Sequence, residues 1–384
     1  MRFRDVCHQD RALSIIRRAL ASGRTHHAYL FEGPGGVGKE LAARALAACL
    51  LCEQEGRAPA AEACGDCTAC RLFAAGTHPD LHLIHRGLHK VHPDPAIRRS
   101  KGLFLGVDLI RHFLIEPAAT TPSRGRRRVF VIRDAERMNE EAQNALLKTL
   151  EEPPGSACLI LVTSSAERLL PTIRSRCQRI PFDLLPAEFV EAQLRRQGGA
   201  APAAARTLAA LAQGRLGAAL QWQRIGLLNA LTQVVANLTP ELLLDPEAFG
   251  KRLLGVAEEL AARTLADAGA DGTGADNGAE EEGSSASRSN TVETDALREA
   301  LKLVLSLLAA IYRDALLARS GCPGLRALPP GIDAVERLAG SADADQLGRR
   351  IEAIARVEWM LDRNVAPQLA CEYLSVALTG DAAA

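Results

Sequence analysis

With 384 residues the chain has length for two or three domains, and 47% hydrophobic residues with only 4% aromatic ones predict a core rich in Leu and Ala and mostly helical. The 46 basic and 46 acidic residues cancel, which argues against a whole-chain basic footprint for nucleic acid but permits a local one. No run of about 18 apolar residues and no apolar signal core occurs, so the expectation is a cytoplasmic protein whose ten cysteines mean metal or chance rather than disulfides.

Residues 11–23 show helical periodicity that ends at Gly23, and His27 to Glu32 (HAYLFE) reads as a strand. Gly33 to Lys39 (GPGGVGK) is a glycine-rich loop, followed by an Ala/Leu-rich helix from Glu40 to Leu51. Strand, loop and helix in that order is the context of a phosphate-binding loop, in which backbone N–H groups around Gly33, Gly35, Gly36 and Gly38 cradle phosphates and Lys39 reaches the outer oxygens. The motif ends in Glu40, where a Ser or Thr hydroxyl would bind magnesium. Glu40 could ligate the metal with a different geometry. The expectation is instead a degenerate loop that keeps its shape, with ATP bound weakly or not at all.

A cysteine module over about 49–72 follows, in which Cys52, Cys64, Cys67 and Cys70 are spaced C-x11-C-x2-C-x2-C. Two tight C-x2-C turns suit a closed tetrahedral zinc site, and four thiolates leave no open position, so such a zinc would be structural. Cys49 competes as first ligand, but Cys52 lies nearer the helix end. Cys7, Cys158, Cys322 and Cys371 read as ordinary small apolar residues.

His78 to Ile84 (HPDLHLI) is a strand candidate, 85–106 an irregular insertion, and Val107 to Ile115 a helix. The histidines at 78, 82, 85, 89 and 92 suggest a second metal site, but their loop context and irregular spacing favour none. Ser123 to Arg128 (SRGRRR) is a basic turn before the strand Val129 to Ile132, which ends in Arg133-Asp134. A magnesium-binding strand of a phosphate-loop enzyme would deliver carboxylates there, and Arg133 repels the cation. The helix Glu140 to Glu151 carries one apolar stripe (Ala142, Ala145, Leu146, Leu150), and Pro153-Pro154 stop it. Ala157 to Thr163 is a further buried strand, and a short helix runs through Pro171 to Arg176. Such alternation predicts a parallel α/β sheet. By chemistry alone, Arg176 in the Ser175-Arg176-Cys177 turn reads as a surface salt bridge or a phosphate contact.

After Pro181 the composition turns helical: a small helical domain over 184–222, then helices from 223 to the end. The Gly/Ala/Asp/Ser-rich stretch 266–290 is expected to be a disordered loop.

GPGGVGK, the four-cysteine insertion, GTHPDL (Gly76 to Leu81), NALLKTLEEPP (Asn144 to Pro154) and IRSRCQRIPF (Ile173 to Phe182) occur in one order. In that order the chain resembles the clamp-loader subunits of bacterial DNA polymerase III, of the AAA+ class, over roughly its first half. The resemblance implies an α/β AAA+ phosphate-loop core with an inserted zinc module (1–183), a small helical lid (184–222) and an all-α collar (223–384). ATP-hydrolysing gamma/tau members carry Lys-Ser/Thr and Asp-Glu where this chain has Lys39-Glu40 and Arg133-Asp134. The lid's G-x-x-R-x-A-L sensor reads GRLGAAL from Gly214 to Leu220, so Gly217 stands at the arginine position. Thr163 and Ser164 fall near the other sensor. By resemblance the chain is a non-hydrolysing member of a hetero-pentameric ring with gamma/tau and delta subunits, which loads the sliding clamp onto primed DNA. Arg176 would then be a trans arginine finger completing a neighbour's ATP site. The alternatives are an active gamma/tau-like ATPase, or a zinc-containing DNA-binding protein that uses residues 98–101 and the basic turn.

Overall fold

The protein, a computed structural model, is described over residues 2–54, 62–100, 104–124, 127–271, 285–329, 332–363 and 365–379. It divides into two units, 1–186 and 187–384.

In the first unit, helix α1 (Asp10–Ala21) precedes strand β1 (Ala28–Glu32), and the glycine-rich loop leads into α2 (Lys39–Leu51). Helix α3 (Thr68–Ala74) closes the cysteine module, and β2 (Leu81–Ile84), β3 (Arg128–Ile132), α4 (Glu140–Glu151), β4 (Ala157–Thr163), α5 (Pro171–Arg176) and β5 (Gln178–Pro181) follow. All ladders are parallel, in the order β2-β3-β4-β1-β5. Strands β3 and β4 are buried throughout, which is why they read as continuous apolar runs rather than alternating ones. Ile84, Phe130, Ile132, Leu159 and Leu161 meet Leu146 and Leu150 of α4 in one core. The parallel α/β core is therefore as expected. From β1 the chain crosses to the edge strand β2, returns through β3 and β4, and passes over β1 to β5, so the loops after β1 and β4 leave in opposite directions at the strands' carboxyl ends.

The insertion 85–106 is more ordered than its composition suggested. Arg86–Val91 is a 3-10 helix, and Pro95–Arg98 is a short helix capped by the Asp94 carboxylate. The helix expected from Val107 opens at Val107–Ile110, passes through a π-helical turn at Arg111–Ile115 and ends at Glu116–Ala118.

A buried carboxylate holds the basic turn. Asp80 is fully buried, and it accepts from the backbone N–H groups of Ser123 (2.7 Å) and Arg124 (2.9 Å) and faces the Arg128 guanidinium at 3.5 Å. Arg128 is itself buried and donates to the carbonyls of Pro117 and Thr121 and to the Thr120 hydroxyl. Arg124 pairs with Glu53. The expectation that Arg128 could touch DNA phosphates is thus corrected: it is spent inside the fold.

The second unit is all-helical. Helices α6 (Ala187–Gly198), α7 (Pro202–Ala212) and α8 (Leu216–Arg224) pack on one another. The long helices α9 (Pro246–Asp271) and α10 (Ser285–Arg319) pack together with α11 (Ala344–Asp362) and α12 (Pro367–Thr379). Asp314, fully buried on α10, accepts from the N–H groups of Ala327 and Leu328 and fixes the chain after that helix. Of the stretch 266–290 expected to be disordered, the ends belong to α9 and α10, a correction, and 272–284 lies outside the described residues. No helix among the described residues is long and apolar enough to cross a membrane.

Candidate functional site

At the end of β1 the loop turns where a side chain cannot fit. Gly33 has φ +139°, and a Cβ there would collide with the Phe182 carbonyl, which the Phe182 N–H to Glu32 O bond (2.8 Å) brings close. The loop then closes on its own lysine. Lys39, at the first turn of α2, is buried and its ammonium donates to the Gly33 carbonyl at 2.5 Å and to the Pro34 carbonyl. Burial pushes Lys39 down to about 8, against the pull of Glu136 and Asp134.

The next residue departs furthest from a magnesium site. The Glu40 carboxylate meets the Arg133 guanidinium at 3.0 Å and the Arg44 guanidinium, one turn along α2, at 2.8 Å. Both of its oxygens are engaged by cations, at the position where the motif's hydroxyl would face a metal. Asp134 takes a left-handed backbone (φ +49°) that turns the chain out of β3. Glu136 accepts from both the hydroxyl and the backbone N–H of Ser164. Burial alone would raise Glu136, yet these bonds to its charged form hold it below the usual carboxylate range.

The four expected cysteines converge: the sulfurs of Cys52, Cys64, Cys67 and Cys70 lie within 4.8 Å of one another and could hold a metal ion. Cys52 Sγ to Cys67 Sγ is 3.9 Å and Cys64 Sγ to Cys70 Sγ is 3.8 Å. With metal–sulfur bonds of about 2.3 Å, a regular tetrahedron has edges of about 3.8 Å, so the donor set fits. The N–H of Cys67 points at Cys64 Sγ and that of Cys70 at Cys67 Sγ, both at 3.4 Å. Backbone N–H groups of Cys67 and Asp66 pull the Cys64 thiol down to about 7. Gly65 makes this turn possible with φ +86°. Cys49 stands outside the cluster, its thiol pushed up to about 12 by burial. Among the described residues the histidines form no comparable group. Cys158 and Cys371 are buried as expected, whereas Cys7 and Cys322 are exposed, because they lie in a turn and a helix-end loop rather than on a core face.

Arg176 ends α5, and its side chain is 34% exposed. It is paired with Glu151, the last residue of α4, at 2.5 Å, and donates to the Thr172 carbonyl at 3.2 Å. Ser175 spends its hydroxyl proton on the Thr172 carbonyl and Cys177 is buried, so of these three side chains the arginine is the one with N–H donors to spare.

The family described as DNA polymerase III, delta subunit matches residues 8–186. Over residues 8–186 the chain is similar to that family. The chain is similar to the delta-prime subunit of Pseudomonas aeruginosa DNA polymerase III, 45% identical over 39% of this chain and 41% of that one. It is also similar to the Bacillus subtilis delta-prime subunit, 37% identical over 52% of this chain and 55% of that one. A Mycobacterium bovis gamma/tau subunit is 38% identical over 50% of this chain and 31% of that one. The chain thus spans about half or less of the curated relatives it matches.

Within residues 8–186 the structure adds residues that the sequence left out. Arg44 and Glu151 gave no signal, being ordinary helix-surface charges until their partners are known. Glu136 sits one turn past the altered Arg133-Asp134 pair, and only the fold brings it to Ser164.

Proposed function

We propose that the chain is a clamp-loader subunit that does not hydrolyse ATP itself and that helps place the sliding clamp on primed DNA. It works in the cytoplasm within a hetero-pentameric ring of gamma/tau and delta subunits. Its core is 1–183, its lid 184–222 and its collar 223–384. The Glu40–Arg133 ion pair carries the reading. A phosphoryl-transfer site needs magnesium to bridge phosphate oxygens and neutralise developing charge. Here the Arg133 guanidinium stands beside the position of the metal's hydroxyl ligand, repels a second cation and occupies the Glu40 carboxylate.

Arg176 supplies the positive contribution. An arginine at an exposed helix end, with N–H groups to spare, can reach across to a neighbouring gamma/tau subunit's γ-phosphate and neutralise transition-state charge. Cys52, Cys64, Cys67 and Cys70 would hold a structural zinc that ties the end of α2 to the start of α3. The deciding experiment is an ATPase assay on the purified chain alone. No turnover is expected, and turnover that Lys39→Ala abolishes would overturn the reading in favour of an active ATPase.

A further inference from the structure

We propose that Glu151 is a positioning residue for Arg176, aiming its guanidinium at the neighbour's site; this rests on the trans-finger reading above. An arginine side chain ending a six-residue helix would otherwise sample many rotamers, and a finger must be ordered before the reaction to be worth its full charge. Two contacts order it here. One Nη2 donor is held by Glu151 Oε1 and one Nη1 donor by the Thr172 carbonyl. A guanidinium has five N–H donors. Three remain, including Nε–H, so Arg176 can stay clamped on both partners while presenting donors to a phosphate.

The placement of Glu151 supports the same role. It is the final residue of α4, followed by Glu152 as C-cap, so two carboxylates stand at the negative end of the helix macrodipole. That end favours cations, and an isolated carboxylate there is disfavoured. Arg176 is the cation that meets it. α4 itself is fixed by its buried face of Ala142, Leu146 and Leu150, so the backbone that carries Glu151 is held in place, while its side chain is half-exposed and ordered by the pair with Arg176. The helix that a catalytic member would place behind its magnesium strand thus serves here to hold an arginine of the neighbouring helix.

The test uses the ring reconstituted with gamma/tau and delta subunits, measuring kcat and KM for ATP with assembly checked by gel filtration. Arg176→Ala is expected to lower kcat with KM and assembly unchanged. Glu151→Ala should reproduce about half or more of that loss through lost orientation. Glu151→Gln, which keeps an acceptor oxygen, should recover most of it. In the double variant Glu151→Ala should add nothing to Arg176→Ala, since the pair acts as a unit. If Arg176→Ala lowers kcat and Glu151→Ala does not, the inference fails while the finger reading stands. If Glu151→Ala lowers kcat equally in the absence of Arg176, its role is structural and the inference fails too. If Arg176→Ala changes nothing, the finger reading itself fails.

Discussion

Glu40 and Arg133 lie 3.0 Å apart, joining the first turn of the helix after the phosphate loop to the end of the strand that would deliver magnesium carboxylates. Each substitution alone would damage a metal site. Together they neutralise one another and leave a folded loop with its lysine turned inward onto the Gly33 and Pro34 carbonyls.

Because this pair opposes the metal, converting both residues should restore binding where converting one does not. Glu40→Thr with Arg133→Asp is expected to bind magnesium–ATP, with Kd of about 1 mM or tighter, while the wild type shows no magnesium-dependent heat by titration calorimetry. Arg133→Ala alone should cost only about 0.2–1 kcal/mol of stability, since both partners are partly solvated and Arg44 still faces Glu40.

The cysteine cluster makes a compositional prediction. Purified protein should carry about one zinc per chain by elemental analysis, and Cys64→Ser with Cys67→Ser should bring that near zero. Strong chelators should lower the melting temperature of the wild type and leave the double variant unmoved, because metal binding and local folding are coupled. A wild type that melts identically with and without chelator would rule out a structural metal.

Asp80 should matter for stability out of proportion to its size. Asp80→Ala strands the buried Arg128 guanidinium and frees the Ser123 and Arg124 N–H groups, at an expected cost of about 3–5 kcal/mol in urea unfolding. Removing the exposed Arg124–Glu53 pair by Arg124→Ala should cost less than about 1 kcal/mol in the same assay.

Acid should weaken the first unit through His82. This ring stacks on Phe130 with centroids 4.7 Å apart, and burial first, then the Arg128 charge, depress it below the ordinary imidazole value of 6.5, opposed by Asp80. Above 6.5 both folded and unfolded chains hold a neutral ring, and stability does not depend on it. Below 6.5 the unfolded chain takes up a proton that the fold excludes, so stability falls with pH until the folded ring protonates as well. His82→Phe, which keeps the stack, should therefore lose less melting temperature than wild type between about pH 7 and about pH 5.5. His78, lowered chiefly by burial as well, would supply part of the remaining slope.

Much of the first unit was legible from residue order, because its signals are local. Helix α4 and strand β4 fall on the expected bounds, since a one-sided apolar stripe ending at a double proline and a short continuous apolar run each admit one reading. The insertion 85–106 was misjudged because its turns are held by caps and carbonyl contacts, such as Arg98 to the carbonyls of His92 and Pro93, which leave no periodic trace.

The sequence by itself determined that a strand, a glycine loop and a helix follow one another, that four cysteines have the spacing of a closed metal site, and that the loop's hydroxyl and the strand's carboxylate are replaced. Only the tertiary structure decided what the replacements do. Parallel crossovers bring β1 and β3 into one sheet with their carboxyl ends aligned, so Glu40 and Arg133 meet there. The packing of α4 beside α5 sets Glu151 against Arg176. Such pairs arise from chain segments remote in sequence, and charge partners on solvent-facing positions carry no periodicity that would announce them.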